Sequence, residues 1–531
     1  MPEETSVDVL VVGAGPVGLT AALELRRRGV ACRVIDTLVE PPQYAKAVGI
    51  QPRTLELWEA SGVLRAALDA GTPLRGQIVL RDGEQVARMD LEVPPDVPFA
   101  FLALPQYETE RLLAEALAGY GTRADRGVEL LSFTQDDEGV TAELTGGERV
   151  RAKYLVGADG AHSVVRKGLG LSFEGGAFVE EYMLGDVEVD WSLPRGYALR
   201  ATRGDDLLVA IPLPGDRRYR MSMLVPPELA TPASGEVAHG FEAGRRPELH
   251  HIQAVLDRLA PEPCTASTLR WSSVFRISHR IVDSYGRGRA FVAGDAAHIH
   301  PPTGAQGMNT GIQDAIGLAW RLALAVDGVA APGLLATYDA ERRPVGEEVV
   351  GRTVRAATSG GVQIDRDDPW TSVRREAQLL VGYRGSPAVS PADPGLPVDA
   401  PQPGDRMPDA RGLVRDVVRF PVRLLPELAG PGHTLLLYAD SAEGTAVFDK
   451  VAATAAELAH GRIRALAVLA PEVEAPALRM PVLRDGAGEV RAHLRAADGE
   501  AFVVRPDGHL GHRGPAADVA GVGGYLGRVF G

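Results

Sequence analysis

Gly294 and Asp295 stand where an apolar strand ends and a helix-forming stretch is about to begin. Residues 290–293 are all apolar and predict a buried strand, and the glycine allows a sharp turn that leaves Asp295 at the strand's carboxyl end. A loop rich in proline and glycine, 301–307, then opens into a helix with apolar residues at helical spacing. The unpaired amides at that helix start carry the positive end of the dipole and can face a phosphate or an electron-rich ring.

A second motif, Gly13-Ala14-Gly15-Pro16-Val17-Gly18, follows an apolar strand over 7–12 and begins a helix. Its three glycines serve a tight turn, the close approach of a pyrophosphate, and the packing of helix on strand. Asp36 ends the next predicted strand, 18 residues after Gly18, where a carboxylate can hold ribose hydroxyls. A GxGxxG pattern alone is weak evidence, but in this context it predicts a dinucleotide-binding fold.

A third turn, Gly157-Ala158-Asp159-Gly160, also ends an apolar strand. Alone it is explained by an ordinary turn that contains an aspartate. The strand, loop and helix around Asp295, taken alone, are equally the commonest connection in α/β proteins. The functional interpretation depends on all three stretches being suited to bind the same ligand.

Together the three stretches resemble the class A flavoprotein monooxygenases, the aromatic hydroxylases typified by p-hydroxybenzoate hydroxylase and phenol hydroxylase. In that family the GxGxxG, DG and GD motifs occur in this order and fold around one FAD. The resemblance covers residues 5 to about 355 and is greatest to the branch that hydroxylates phenols, polyketides and related antibiotics. It implies that FAD is bound by residues in and around the three motifs: Gly13, Gly15, Pro16, Val17, Gly18, Asp36, Lys46, Gln106, Leu130, Asp159, Gly294, Asp295, Pro302, Gly304, Ala305, Gln306, Gly307, Met308 and Asn309.

The resemblance also implies a reaction. NADPH or NADH would bind transiently and reduce the flavin, since the sequence has one dinucleotide motif and FAD uses it. O2 would then give a flavin hydroperoxide, which transfers one oxygen atom to a phenolic or polycyclic aromatic substrate of the polyketide or antibiotic type. Two alternatives stay open, namely a Baeyer–Villiger oxygen insertion into a related ketone and a non-catalytic flavin-binding interaction protein.

Four positions depart from the family pattern. Lys46 stands where arginine is usual, which keeps the charge but loses the bidentate fork. Val48 stands where phenol hydroxylases have an aspartate that serves as the base for the phenol, so either another group accepts the proton or the substrate needs no base. In the GD loop and its helix, Ala305 replaces a frequent glycine and Gly317 a frequent asparagine.

From about residue 168 to 281 the pattern changes to period-two alternation, which predicts a mixed β-sheet with one face available for a ligand. In relatives the returning strand, 272–281, faces the substrate. No catalytic residue is assigned from the sequence, but four residues are pocket candidates: Phe275, Arg276, His279 and Pro302. A further set either lines an apolar pocket or forms plain core: Tyr182, Met183, Met221, Met223, Phe241 and Trp271.

The length of 531 residues predicts about three domains. We expect an α/β protein with a Rossmann-type FAD-binding domain formed by 1–168 and 282–384. A mixed β-sheet substrate-binding domain, 169–281, is inserted into it. A proline-rich linker, 385–408, leads to a thioredoxin-like C-terminal domain, 409–531. That last domain contains no cysteine, which excludes disulfide chemistry, so packing or self-association as a homodimer is its expected role.

Composition excludes several other classes of function. The net charge of −14, with no basic cluster, argues against nucleic-acid binding. Apolar runs stay well short of the roughly 20 residues that span a bilayer. Cys32 and Cys264 form no metal or redox motif, and His298 and His300 are weak as metal ligands, so no metal site is expected. A reducing cytoplasm is the expected location, because no signal-peptide pattern precedes the first strand.

Overall fold

The computed structural model describes residues 5–43, 45–230, 246–358, 365, 367–474 and 477–531. Its strands are β1 (Thr5–Val12), β2 (Cys32–Asp36), β3 (Gly49–Ile50), β4 (Thr72–Pro73), β5 (Gly76–Arg81), β6 (Glu84–Asp90), β7 (Leu102–Ala103), β8 (Ala124–Arg126), β9 (Leu130–Gln135), β10 (Val140–Leu144), β11 (Arg149–Gly157), β12 (Phe173–Asp190), β13 (Tyr197–Arg203), β14 (Asp206–Pro212), β15 (Arg218–Leu224), β16 (Thr265–Val282), β17 (Gly286–Arg287), β18 (Ala290–Val292), β19 (His298–Ile299), β20 (Leu413–Arg415), β21 (His433–Ala439), β22 (Ile463–Leu469), β23 (Val482–Asp485), β24 (Glu500–Val504) and β25 (Leu510–Pro515).

The helices are α1 (Pro16–Arg27), α2 (Pro52–Ser61), α3 (Leu64–Ala70), α4 (Gln106–Gly119), α5 (Val164–Gly168), α6 (Leu249–Leu259), α7 (Gly307–Val326), α8 (Ala336–Thr358), α9 (Pro369–Glu376), α10 (Leu424–Leu428), α11 (Phe448–Leu458), α12 (Glu489–Leu494) and α13 (Val519–Val529). Across the described ranges, no helix is both long and apolar enough to cross a membrane.

The first sheet has the strand order β17-β18-β11-β1-β2-β8. β1 pairs in parallel with β2 and β11, and β11 pairs in parallel with β18. Residues 9–11 in the middle of the sheet are fully buried, as their continuous apolar run predicts for a parallel strand. β9, β10 and β11 form an antiparallel meander. The carboxyl ends of the parallel strands therefore share one edge, where all three motifs lie.

The second sheet has the order β19-β16-β12-β15-β14-β13-β5-β6. It extends beyond the predicted substrate domain, 169–281, because β13 pairs in parallel with β5 and β16 pairs with β19. One face is covered by α6, and the fully buried Met183, Met221 and Met223 belong to that core. The three methionines are therefore core and do not line a pocket. Phe241 lies outside the described residues.

The third sheet, β20-β23-β22-β21-β24-β25, lies in the C-terminal part of the chain. β21, α11 and β22 form a parallel β-α-β unit, and β24 and β25 form an antiparallel hairpin followed by α13. Residues 385–408 contain neither helix nor strand, but their backbone is tied to β25 by hydrogen bonds from Ser390 and Gly404. This proline-rich segment is thus packed against the third sheet along its course.

A buried ionic network joins the C-terminal sheet to the first domain. Arg505, which follows β24, donates through both terminal nitrogens to the two carboxylate oxygens of Glu341 in α8, each at 2.7 Å. Arg321 of α7 binds the same carboxylate, and Arg505 also binds Asp507. Burial alone would raise the pKa of Glu341, but the two arginines lower it to about 2. The acid and arginine cluster around 339–343 therefore has a structural role.

Substituting Arg505 by alanine tests how much this network contributes to the fold. The change leaves Glu341 and Asp507 buried without their partner, so we expect the free energy of unfolding to fall by about 3–5 kcal/mol. Urea denaturation followed by fluorescence measures it. Arg528→Ala, which removes an exposed arginine from α13, is the matched control and should change stability by less than about 0.5 kcal/mol. Equal effects of the two substitutions would contradict the assignment.

Candidate functional site

The three glycines of the first motif have three different surroundings. Gly13 has a φ of +102°, and a Cβ on it would lie 2.2 Å from the carbonyl oxygen of Ala158. A Cβ on Gly18 would lie 1.9 Å from the carbonyl oxygen of Gly13, so α1 packs directly on the turn. A Cβ on Gly15 would meet nothing within 4 Å. The open space at Gly15 fits a ligand that comes close to the backbone, as a pyrophosphate does.

Pro16 and Val17 begin α1 and face the protein. Pro16 is buried in the first turn, where its fixed φ suits a helix start. A Cβ added to Gly294 or Gly311 would lie 2.8 or 2.7 Å from Cγ2 of Val17. Val17 therefore packs α1 against the GD turn and α7, which holds the first and third motifs together.

Asp36 is already fixed by the backbone. Its two carboxylate oxygens accept hydrogen bonds from the amides of Ala14, at 2.7 Å, and Leu38, at 2.8 Å. Arg126 of β8 lies 3.5 Å from one of them. The carboxylate is held at the edge of the sheet beside the glycine turn, where the fingerprint requires a group for ribose hydroxyls.

Asp159 caps α5. Its Oδ2 accepts from the amides of Val164 at 2.7 Å and Val165 at 3.1 Å, while its Oδ1 is buried without a hydrogen-bond partner among the described residues. Burial raises the pKa of Asp159. An unpaired buried carboxylate oxygen is costly, so this atom is available to a ligand hydroxyl or amide at the same sheet edge.

The GD turn is anchored from behind by Asp314 of α7. One carboxylate oxygen accepts from the Gly294 amide at 3.2 Å and from His298 Nε2 at 2.8 Å, and the other accepts from Arg342 Nε at 2.7 Å. Burial would raise the pKa of Asp314, but Arg342 and His298 hold it below its usual range. The turn that carries Asp295 is therefore fixed to both α7 and α8.

At the start of α7 main-chain amides are available to a ligand, whereas the polar side chains are bonded within the protein. The amides of Gly307, Met308 and Asn309 donate to no acceptor within the described part of the chain. The Asn309 side chain is consumed internally, because Nδ2 donates to the carbonyls of Gly49 and Ala305 and Oδ1 accepts from the Gln51 amide. Any ligand contact from Asn309 is therefore made by its backbone.

Gln306 is likewise turned into the protein. Its Nε2 donates to the carboxylate of Glu376 at 3.0 Å, and its Oε1 accepts from Gln378 Nε2 at 2.8 Å. The loop before it has left-handed backbone at Gly304, φ +76°, and at Ala305, φ +54°. Ala305 thus adopts a conformation that glycine adopts without strain, which explains the physical preference for glycine at this position. Pro302 precedes this turn and is exposed.

Lys46 and Asp295 form an ion pair with 3.2 Å between Nζ and Oδ2, and both side chains are about half exposed. The protein packed around the Asp295 carboxyl would raise its pKa, but the ammonium group of Lys46 holds that pKa below its usual value. The next residue in the same loop, Ala47, donates its amide to Gln106 Oε1 at 3.3 Å. The predicted residues Lys46, Gln106 and Asp295 are thus brought together around the 45–48 loop.

Glu110 lies one turn beyond Gln106 in α4 and is only 3% exposed. Gln106 Nε2 donates to one carboxylate oxygen at 2.9 Å, and the other oxygen is buried without a described partner. Burial raises the pKa of Glu110 to about 7, against the opposite influence of Gln106 and Arg126. This carboxyl sits next to the loop that carries Lys46 and titrates near neutrality.

Two further residues that were expected to contact the cofactor are placed mainly in the core. Leu130, at the start of β9, is buried in the core of the FAD-binding domain, so only its backbone is available. Met308 is partly buried and packs against the same core from the first turn of α7.

The substrate candidates lie in β16. Phe275 stacks obliquely on Tyr182, with 5.8 Å between ring centroids. Arg276 forms an ion pair with Glu181, with 2.7 Å between Nη2 and Oε1, so its charge is already compensated within the protein. His279 contacts the ring of Phe178 edge-on, and its Nδ1 is buried without a hydrogen-bond partner in the described structure.

The second face of the substrate sheet looks toward the 45–48 loop. Ile211 and Leu213 of this sheet pack with Ala45 and Val48, and Val48 is buried. The position at which phenol hydroxylases have a base is therefore an apolar contact between the two domains. The face of the sheet and the cofactor-side loop meet here.

Sequence reasoning missed Asp314, Glu110 and Arg220. Asp314 and Glu110 each interrupt an otherwise apolar stripe of a helix, which is a signal that a buried charge is present. Arg220 and Met221 are adjacent in β15, so their side chains point to opposite faces of the sheet. The period-two pattern of this strand could therefore have placed Arg220 on the face available for a ligand. Among the described residues, no group of His, Cys, Asp and Glu side chains is placed to hold a metal.

Known proteins share this arrangement. Residues 6–353 match the family model described as FAD binding domain. The chain is 35% identical over 542 residues to 6-methylpretetramide 4-monooxygenase of Streptomyces rimosus, with 97% of this chain and 92% of that protein covered. It is also similar to the structure of the flavin-dependent monooxygenase PieE in complex with FAD and substrate, at 25% identity, a TM-score of 0.82 and 99% of each chain. For the ternary complex of aklavinone-11 hydroxylase with FAD and aklavinone, the identity is 28%, the TM-score 0.77 and the coverage 99% of each chain.

The chain belongs to the FAD binding domain family and is an FAD-dependent aromatic monooxygenase. The expected cofactor, FAD, and the expected α/β class with several sheets are confirmed. The open space at Gly15, the unpaired amides at the start of α7 and the unpaired oxygen of Asp159 all fit a bound dinucleotide.

Asp295→Ala tests the cofactor site. The substitution removes the partner of Lys46 and the carboxylate at the end of β18, so we expect tight FAD binding to be lost. Flavin content per protein after gel filtration, read from the absorbance spectrum, measures it. Asp137→Ala, an exposed aspartate in the turn between β9 and β10, is the control and should keep full flavin. Stoichiometric flavin in the Asp295 variant would count against the site assignment.

Glu110→Gln tests the raised pKa of this buried carboxyl. A folded-state value of about 7 lies above the ordinary glutamate value, so the folded protein keeps a proton that the unfolded chain releases. Wild-type stability therefore falls as pH rises from about 4.5 to about 7. Glu110→Gln has no such group and does not lose stability in this way. The difference between the unfolding free energies of the variant and the wild type should therefore change in favour of the variant by about 2–3 kcal/mol between about pH 5 and pH 8.

Urea unfolding of the FAD-loaded proteins at the two pH values measures this difference. Glu115→Gln, at an exposed position of the same helix, controls for general effects of charge. An advantage of the Glu110 variant that stays constant with pH would show that Glu110 is already ionised in the folded protein at the lower pH.

Proposed function

We propose that this enzyme uses NAD(P)H and O2 to hydroxylate a phenolic or polycyclic aromatic molecule of the polyketide or antibiotic type. The observation that carries the proposal is the meeting of two surfaces at the 45–48 loop. The cofactor-side residues Lys46 and Asp295 lie on one side of that loop. On the other side, the face of the substrate sheet opposite α6 packs against Val48. Relatives named for 6-methylpretetramide and aklavinone support this substrate class.

In this proposal the chain's own residues bind and orient FAD. The backbone at Gly15 receives the pyrophosphate, Asp36 receives ribose hydroxyls, and Asp159 and Asp295 accept hydroxyl hydrogen bonds. The free amides at the start of α7 would stabilise negative charge on the bound FAD. Bound FAD supplies electron transfer from NAD(P)H and the activation of O2 for transfer of one oxygen atom. The buried apolar contact around Val48 excludes water from the reacting centre.

The nicotinamide cofactor binds only transiently in this scheme. The sequence has a single dinucleotide fingerprint, and the groups around Gly13 to Gly18 are assigned to FAD. Pro302 and β16, with Phe275 and His279, are the proposed wall of the aromatic site. His279 is the candidate among them for a polar contact with substrate, because its Nδ1 has no hydrogen-bond partner in the described structure.

Two other readings remain as alternatives to hydroxylation. A Baeyer–Villiger oxygen insertion needs the same cofactor site and a ketone substrate. A non-catalytic flavin-binding interaction protein would need the site to be damaged, and the intact surroundings of Gly13, Gly15, Gly18, Asp159 and Asp295 weigh against it.

The C-terminal domain is proposed to be thioredoxin-like and structural. Its parallel β-α-β unit, antiparallel hairpin and final helix support the fold assignment. Arg53 of α2, close to the flavin-side loop, donates to the carbonyl of Asp507, and Glu56 of the same helix pairs with Arg406. These contacts support a role in bracing α2. Self-association as a homodimer stays a prediction.

Oxidation of NADPH and NADH by the purified protein in air, across a panel of phenols and polycyclic quinones, tests the proposed function. We expect one aromatic class to stimulate oxidation strongly and to give a product heavier by one oxygen atom. A product with an opened or expanded ring identifies the Baeyer–Villiger alternative. Flavin that is bound but never reduced in the presence of any aromatic compound would favour the non-catalytic alternative.

A further inference from the structure

The face of the substrate sheet opposite α6 carries an arginine that has no carboxylate partner among the described residues. Arg220 of β15 is 6% exposed. Its Nη2 donates to the carbonyl oxygen of Lys46 at 3.2 Å, its Nε is buried without a partner, and its Nη1 donates to no acceptor among the described residues. Burial lowers the pKa of Arg220 to about 10, so the group is still charged at neutral pH.

The carboxylate best placed to neutralise Arg220 is used elsewhere. Asp186 lies directly opposite Arg220 on the neighbouring strand β12. Its two oxygens instead accept from Arg218, with 2.8 Å between Oδ1 and Nε. This bidentate bond helps to hold the pKa of Arg218 above its usual value. Within the described part of the chain the positive charge of Arg220 therefore has no carboxylate partner, and a buried charge of this kind is costly unless a ligand pairs with it.

Strand register places Arg220 on the face that looks toward the cofactor-side loop. Arg220 pairs with Ile211 of β14, so their side chains lie on the same face of the sheet. Ile211 packs with Val48, and the guanidinium itself reaches the carbonyl of Lys46. The uncompensated charge thus lies where the sheet meets the 45–48 loop.

A second arginine shares this face. Arg200 of β13 aligns with Val209 of β14 and with Ser222 of β15, two residues from Arg220. Arg200 is half-buried and has neither a hydrogen bond nor a carboxylate partner among the described residues. Burial lowers its pKa, and the nearest opposing influence is the phenol of Tyr182. Two arginines without a described carboxylate partner therefore lie on this face, in a protein whose net charge is −14.

We propose that Arg220 binds an oxyanion on a planar carbon of the aromatic substrate, that is, a carboxylate or an ionised phenol or enol, with Arg200 raising the positive potential of the same face. The planar guanidinium matches such a group in shape, and a charge-assisted hydrogen bond in a buried site is strong. The inference rests on the proposed function and narrows its substrate class from aromatic molecules in general to acidic ones.

Binding to the oxidised, FAD-loaded enzyme tests the inference without turnover. The probes are 4,5-dihydroxyanthraquinone-2-carboxylate with its methyl ester, and the enolate of 2-acetyl-1,3-cyclohexanedione with its enol methyl ether. Benzoate serves as the smallest aromatic acid. Perturbation of the flavin spectrum and the shift in melting temperature report binding. The variants are Arg220→Gln and, as control, Arg203→Gln, which removes an exposed arginine from β13 of the same sheet.

We expect the wild type to bind the acid of at least one pair more tightly than its neutral partner. Arg220→Gln should weaken binding of that acid by about 10- to 100-fold and leave the neutral partner within about threefold. Arg203→Gln should bind both as the wild type does. Preference for the anthraquinone acid identifies a carboxylate, and preference for the enolate identifies an ionised enol or phenol.

Three results would overturn the inference. The first is an unchanged ratio of acid to neutral affinity in Arg220→Gln, and the second is no response of the wild type to any of the acids, benzoate included. The third is a changed reduction potential of the flavin with an unchanged affinity ratio, which would assign Arg220 to the cofactor. A failure of the proposed function looks different, because the acid preference would persist while no probe is oxygenated.

Discussion

The flavin side of this molecule depends on one buried carboxylate, that of Asp314. It binds the amide of Gly294 and the ring of His298 through one oxygen and the guanidinium of Arg342 through the other. Arg342 also donates to the carbonyl of Thr310, near the start of α7. The same charge pair therefore fixes the turn after β18 and the start of α7 relative to each other. Because removal of one partner from such a pair costs about 3–5 kcal/mol, the two parts of the site cannot move independently.

Around this anchor several acidic side chains are paired with cations or kept protonated, while main-chain N–H donors are left free. Asp295 is paired with Lys46, Asp186 with Arg218, and the carboxyl of Glu110 is kept from ionising fully by its burial. The free amides at the start of α7 have no such partners in the described structure. A surface of this kind favours a ligand with several negative groups. FAD has a pyrophosphate and, when reduced, a negatively charged ring, so the electrostatics fit the family's cofactor in detail.

The local elements could be predicted because their signals are local. The buried strand predicted over 290–293 is found at Ala290–Val292, and the motif turns follow from glycines with one physical use each. Long-range pairs could not be predicted, since the sequence does not show which buried charges meet. Gly317, which replaces a frequent asparagine, illustrates this: a Cβ there would lie 3.7 Å from Arg321 and 3.8 Å from Arg342. The position is therefore next to two buried arginines that its own sequence context does not reveal.

Val48 and Arg220 explain each other when they are considered together. An aspartate at the position of Val48 would serve as a base that removes a phenolic proton, and here that position is a buried apolar contact. A phenolate or enolate held by Arg220 would enter the site already deprotonated. It would then need no base, and its ring would already be electron-rich. Burying Arg220 without a described carboxylate partner costs free energy in the free protein, and this cost is recovered when the anion binds. A group that weakens the fold therefore strengthens discrimination in favour of the ionised substrate.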